Sequence, residues 1–273
     1  MKLAFSSLGC PQDRVDDLLQ RARELGADGV ELRTLESTVK LWELEDFSES
    51  NLPRTREKFR AAGIVPVVVG SSGSFAAPES EKRKVHMEQL ERYCMIAQGL
   101  GCPYVRVFGG PIPAGQSRER TVELDLEGYC RAAELAQAHQ VTLLFETHDD
   151  FSRSDWMLPL LRGLDGKAGV IWDILHPYRF GEAMTDTWNN LAPYVRHVHI
   201  KDSMQFSTDG FDIASIGTGR VPIGEALKIL NDAGYQGYFC YEWEKHWHPE
   251  IESAQTEFPR YMRYMRQFAA EGR

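Results

Sequence analysis

The sequence is short of everything that would stitch, anchor or target it. Its five cysteines, Cys10, Cys94, Cys102, Cys130 and Cys240, are odd in number and form no Cys-x-x-Cys pair. Neither a disulfide frame nor a zinc knot is expected, and the five read as small buried or half-buried thiols in a reducing, cytoplasmic compartment. No apolar run approaches a membrane span. The stretch Met1-Lys2-Leu3-Ala4-Phe5 gives way to Ser6 and Ser7 too soon for a secretory signal. Positive charge is also scarce: 31 Lys and Arg against 40 Asp and Glu leave a net charge of -9. That balance works against nucleic acid or an anionic membrane as partner, since both demand a concentrated cationic face. Linkers and low-complexity segments are missing too, so one domain over residues 1–273 is the economical expectation.

What is present is an unbroken alternation of strand and helix. Strands are predicted at Leu3 to Ser7, Gly29 to Arg33, Ile64 to Val69, Tyr104 to Phe108, Val141 to Glu146, Gly169 to Asp173, Val195 to Lys201 and Tyr238 to Trp243. Between them run helical stripes, such as Val15, Leu18, Leu19, Ala22 and Leu25, or Leu124, Tyr129, Ala132, Ala133 and Ala136. Gly26, Gly63, Gly101 and Gly234 stand where helices stop before the next strand. Eight such units in a chain of 273 residues predict an α/β fold, a single (β/α)8 TIM barrel. The strand-to-helix segments Thr34 to Asn51, Gly70 to Pro78, Gly109 to Ser117 and Asp202 to Val221 are long. In a barrel they wall the carboxyl face. Gly217 to Pro222 could cradle a phosphate or form a tight turn, and a lone Gly-x-Gly favours the turn, with Pro222 suited to the first turn of the next helix.

The chemistry gathers at strand ends. Arg196 to Asp202 reads Arg-His-Val-His-Ile-Lys-Asp, and alternation sets His197, His199 and Lys201 on one face with Val198 and Ile200 on the other. Three other strands run into carboxylates, Glu146, Asp173 and Glu242. With His199 these make three hard carboxylates and one imidazole, the donor set by which a closed parallel barrel holds one divalent cation at its active face. Arg33, nearest the mouth, is a substrate-binding candidate, and Glu31 and Arg106 are expected to form an ion pair inside the barrel. Lys201 either holds a substrate oxyanion or pairs with Asp202. His148, two residues past Glu146, points the same way and supports the site or binds substrate. His246 and His248 read as rim residues, and Trp247 as a cover for substrate or a neighbouring subunit. Tyr261, Met262, Met265 and Phe268 form the packing stripe of a last helix.

These residues resemble the xylose-isomerase-like TIM barrels, the sugar phosphate isomerase/epimerases, over nearly the whole chain. The resemblance is carried by Gly29-Val30-Glu31-Leu32-Arg33, Arg106-Val107-Phe108-Gly109-Gly110, Phe145-Glu146-Thr147-His148, Trp172-Asp173-Ile174-Leu175-His176-Pro177, His197 to Asp202 and Tyr241-Glu242-Trp243. It implies that Glu146, Asp173, His199 and Glu242 bind one divalent metal, manganese first, with magnesium, cobalt or zinc as alternatives. It implies that His176 lines the substrate site, and that Glu146 and Glu242 act as acid and base on opposite faces of a keto sugar or polyol. Isomerisation, epimerisation and dehydration share one enediolate, so the residues leave those outcomes open. An abasic-site endonuclease of this fold needs further histidines and an Asp-x-His pair. The corresponding places read Val69-Gly70-Ser71, Phe108-Gly109-Gly110 and Asp212-Ile213-Ala214. A non-catalytic sugar-binding barrel is disfavoured by the full donor set. With Arg33, Lys201, Arg220 and Lys245 scattered, an unphosphorylated substrate is favoured. Relatives of this kind often assemble as dimers or tetramers, so a homo-oligomer is an open expectation.

Overall fold

The computed structural model describes residues 1–75 and 80–271. Its strands close into a barrel in chain order. They are β1 Lys2–Ser6, β2 Gly29–Leu32, β3 Val65–Ser74, β4 Tyr104–Phe108, β5 Thr142–Glu146, β6 Ala168–Asp173, β7 Val195–Ile200 and β8 Tyr238–Tyr241. Every neighbouring pair is parallel, including β8 with β1, so the sheet has no free edge. Outside lie α1 Val15–Leu25, α2 Leu52–Ala62, α3 Ser80–Leu100, α4 Arg118–Ala138, α5 Ser154–Gly163, α6 Leu175–Arg179, α7 Met184–Leu191, α8 Ile223–Asp232 and α9 Ala254–Ala270. Among the described residues no helix is long and apolar enough to cross a membrane.

Period-two alternation sorts each strand between two cores. Val105, Val107, Phe145, Val198 and Ile200 face outward and join the helix stripes, among them Leu18, Leu160, Leu227 and Phe258. The inward set is a separate apolar cluster of Ala4, Val67, Val68, Leu144, Ile171 and Cys240. Glycine is required where α1 and α2 end: Gly26 and Gly63 have φ of 62° and 70°, a region that a side chain disfavours. The last helix packs as its stripe predicts. Tyr261, Met262 and Met265 are buried, and the Tyr261 hydroxyl donates to the Phe239 carbonyl at 2.6 Å.

Two elements depart from the sequence expectation. β3 continues through Gly70 to Ser74, where a loop beginning at Gly70 was expected. The continuation is held by pairing of Gly70 with Arg106 and by the Ser71 hydroxyl, which donates to the Arg106 carbonyl at 2.6 Å. Residues 76–78 of that expected loop lie outside the described residues. On α4, Leu124 is exposed instead of buried. The buried stripe passes through Asp125, one position on, whose carboxylate pairs with Arg83.

Candidate active site

The carboxyl ends of β5 to β8 converge on one polar chamber. Glu146 and Asp173 are the last residues of β5 and β6, His199 is next to last on β7, and Glu242 directly follows β8. His199 organises them: its Nδ1 lies 3.2 Å from Glu146 Oε1 and 3.4 Å from Glu242 Oε2. Its Nε2 lies 2.7 Å from Glu31 Oε2. Glu31 also accepts from the Ser6 hydroxyl at 3.1 Å and lies 3.4 Å from His197. Two cations complete the network. Arg106 Nη1 is 2.8 Å from Glu146 and 3.5 Å from Glu242. Lys201 Nζ is 2.5 Å from Glu242, 2.8 Å from Glu244 and 2.9 Å from Asp173.

Burial opposes charge on every one of these groups, and the partners decide which remain charged. Burial and the Glu242 charge push Glu146 up, but Arg106 and His199 outweigh them and hold it at about 2. Burial likewise works against the Glu242 carboxylate, yet His199 and Lys201 keep it well below its ordinary range. Burial raises Asp173 to about 6 despite the attraction of Lys201. For His199, burial favours the neutral ring, but Glu242, Glu31 and Glu146 together drive its pKa well above the usual value.

The donor set suits a hard divalent cation. Glu146, Asp173, His199 and Glu242 each offer one atom, all within 4.8 Å of one another. Asp173 Oδ2 is buried and makes no well-aligned hydrogen bond; its one close partner is the Lys201 ammonium at 2.9 Å, which leaves a carboxylate lone pair for a cation. Three oxygen donors with one imidazole match manganese or magnesium chemistry better than a thiolate site. Glu31, His197, His199 and Cys240 also fall within 4.8 Å of one another. They fit an ion less well: Glu31 is committed to His199 and Ser6, and burial pushes the Cys240 thiol far up, keeping it protonated.

A cavity of about 290 Å³ opens over the cluster, with Arg33, Phe108, His148, Lys201, Glu242 and Trp247 among its walls. A larger groove of about 540 Å³ lies elsewhere, between Trp42, Leu52 and Arg92. It contains none of the clustered donors, and the smaller cavity is the one that meets the chemistry. Arg33 is buried with its guanidinium beside Ser72 and the Gly70 carbonyl. His148 lies in the wall, bonded to Asp149 at 2.7 Å and set against Phe108. His176 stands behind it, ring to ring at 4.4 Å. There Arg179 donates to His176 Nδ1 at 3.2 Å, and His176 Nε2 lies 3.7 Å from Asp173. Burial and His148 hold His176 neutral.

Several pairings differ from those the sequence suggested. Glu31 and Arg106 are both buried, but Glu31 bonds to His199 while Arg106 bridges Glu146 and Glu242. Lys201 turns to Asp173, Glu242 and Glu244 rather than to Asp202. Asp202 Oδ2 accepts from the amides of Gly217 at 3.0 Å and Gly219 at 2.9 Å. That loop is therefore a tight turn around its own carboxylate, with those donors unavailable to a phosphate. Pro222 falls at the N-cap of α8, one residue before the helix. Glu244 was missed, although alternation from Glu242 pointed to it.

The comparisons with known proteins agree with this architecture. The sequence model of the xylose isomerase-like TIM barrel matches residues 19–267. A probable L-ribulose-5-phosphate 3-epimerase from Mycoplasma pneumoniae is 24% identical over 79% of this chain and 72% of its own. The IolI protein, crystallised with a zinc atom, superposes with a TM-score of 0.81 at 15% identity, over 99% of this chain and 97% of that one. The probable 3-DHS dehydratase AsbF of Bacillus anthracis gives 0.80 at 18% identity, over 97% and 98%. At such identities the superpositions speak to fold, whereas the family match covers most of the sequence, and on it the chain belongs to the xylose isomerase-like TIM barrel family.

Proposed function

We propose that this chain is a single-domain, divalent-metal-dependent isomerase or epimerase acting on a keto sugar or polyol through an enediolate. The observation that carries the reading is the pair Glu146 and Glu242, two buried carboxylates kept ionised at 3.2 and 3.4 Å from His199 Nδ1 in the wall of one cavity. Glu146, Asp173, His199 and Glu242 would hold the ion, manganese first among the candidates. Bound there, a divalent cation would polarise a substrate carbonyl and acidify the neighbouring C–H.

The residues divide the remaining work. Glu31 accepts a hydrogen bond from His199 Nε2 and so fixes the ring with Nδ1 facing the carboxylates, where, once its proton is lost, it would ligate an ion. Arg106 spans Glu146 and Glu242 and holds both ready to take a proton. One glutamate removes the proton beside the carbonyl. Return from the other face gives epimerisation, and return at the neighbouring carbon gives isomerisation. Lys201, His148 and Arg33 line the space over the two carboxylates and bind substrate, with His176 supporting His148 from behind.

The epimerase relative favours this outcome. A second outcome is open to the same enediolate, from which a β-hydroxyl can leave instead. The test is a metal-supplemented screen of keto sugars, inososes and hydroxypyruvate in deuterium oxide, read by NMR. Isomerised or epimerised product carrying solvent deuterium beside the carbonyl supports the first reading. Loss of water from substrate supports the second. Turnover that is indifferent to chelation removes both.

A further inference from the structure

Among the described residues, Arg33 is the one cation of the cavity wall that forms no ion pair with a carboxylate. Arg106 and Lys201 are each bound to carboxylates. Lys245 is turned onto the carbonyls of Pro249 and Ile251, and Arg220 lies over Phe206. Among the described residues no carboxylate is paired with Arg33, whose side chain is almost wholly buried. Nη1 donates to the Gly70 carbonyl at 3.4 Å and Nη2 to the Ser72 hydroxyl at 2.7 Å. The Tyr93 hydroxyl lies beside it as well, and a guanidinium, with five N–H donors, has more to give than these neutral partners take. The neighbouring Arg106 charge adds to burial in drawing its pKa down to about 10, still charged at neutral pH.

The seat is built for this side chain. A Cβ at residue 70 would fall 2.8 Å from Arg33 Cδ, so glycine there makes the room. The ring of Trp247 covers the guanidinium at 5.8 Å, and both line the cavity above Glu146 and Glu242. A buried cation held without a counter-ion weakens a fold, and an arriving anion corrects that imbalance.

We infer that Arg33 seats an oxyanion of the substrate, a carboxylate or a phosphate monoester, at the end away from the reacting carbons. The substrate class is therefore a sugar acid or sugar phosphate rather than a neutral keto sugar or polyol; the first of these agrees with the expectation of an unphosphorylated substrate and the second does not. This inference rests on the proposed sugar chemistry for what the rest of the ligand is, and on Arg33 alone for its charge.

The experiment is calorimetric titration of chelator-treated protein with erythronate, erythritol 4-phosphate and erythritol. Without metal, no carboxylate can gain affinity by ligating an ion. At least one anion should bind about tenfold or more tightly than erythritol, and which one does so tells carboxylate from phosphate. Arg33→Met should erase the preference, and Arg33→Lys should keep part of it. Equal binding of all three probes, or a preference that survives Arg33→Met, overturns the inference. Melting supplies the second readout. Inorganic phosphate should raise the melting temperature of the wild type but not of Arg33→Met, and the variant alone should melt no lower than the wild type. A variant that melts several degrees lower marks Arg33 as a structural residue and overturns the assignment. Because metal is absent throughout, failure of the isomerase reading shows in the deuterium experiment and leaves this one standing, and the reverse holds equally.

Discussion

Two residues along a strand separate the apolar half of the barrel interior from its charged half. The step runs from Leu144 to Glu146 on β5, from Ile171 to Asp173 on β6, and from Cys240 to Glu242 at β8. Both halves are fully buried, so exposure does not distinguish them. Below the step, each side chain gains by leaving water, at roughly 25 cal/mol per Å² of apolar surface. Above it, each ion loses several kcal/mol of hydration, on the order of what its partners return. The fold is thus stabilised at one end of the barrel and strained by charge at the other. The charged end is where the proposed cation and acidic substrate would bind, each offsetting part of that cost.

The sharpest way to break the comparison is to change one residue on each side of the step. Glu242→Gln should lower turnover and solvent deuterium incorporation by about 100-fold or more, the scale of a lost acid–base group. Metal content is measured on the same sample, because glutamine is also a weaker ligand. Full activity in a metal-loaded Glu242→Gln protein would sink the two-glutamate mechanism. Leu144→Ala should do the opposite, costing about 2–5 kcal/mol of stability in denaturant titrations while metal content and KM stay near wild type. If Leu144→Ala abolishes metal binding in protein that is still folded, the two halves are not independent.

The sequence shows the strands and the donors well and the pairings poorly. The eight strands were readable because alternation is a local signal, and the helix ends because Gly26 and Gly63 mark left-handed stops. Glu146, Asp173, His199 and Glu242 stood at strand ends in the sequence, and the closed barrel brings one atom of each within 4.8 Å. Which inward charge meets which is another matter. It depends on strand tilt and stagger around the barrel, which no single segment encodes. So Arg106, expected against Glu31, reaches Glu146, while Glu31 crosses to His199. The Gly70 to Ser74 extension of β3 was hidden by composition, since glycine and serine runs read as loops. Asp202 was legible as an acid but not as the anchor of a turn, because its partners are backbone amides 15 and 17 residues away.

The smallest of these effects lies at the seam, in Glu31, which is buried against His197, His199 and Ser6. If its role is to hold the His199 Nε2 proton, Glu31→Gln should weaken divalent-ion affinity by about tenfold, toward the lower end for a residue supporting a ligand. An amide can still accept that proton, so the tautomer survives, and what is lost is the charge that makes the imidazole a better donor. Glu31→Ala removes the acceptor as well and should cost nearer 100-fold. The wild type adds a pH signature. Glu242, Glu31 and Glu146 keep His199 protonated above its ordinary range in the ion-free protein, so loading an ion at neutral pH must release that proton, and affinity should rise with pH by about tenfold per unit. Taking away the Glu31 charge lowers the His199 pKa, and the pH range over which affinity rises should move downward in Glu31→Gln. Calorimetry in buffers of different ionisation enthalpy counts the proton directly. An affinity loss in Glu31→Gln with an unmoved pH profile would show that Glu31 acts through packing alone, and would leave the orientation of His199 to the strand that carries it.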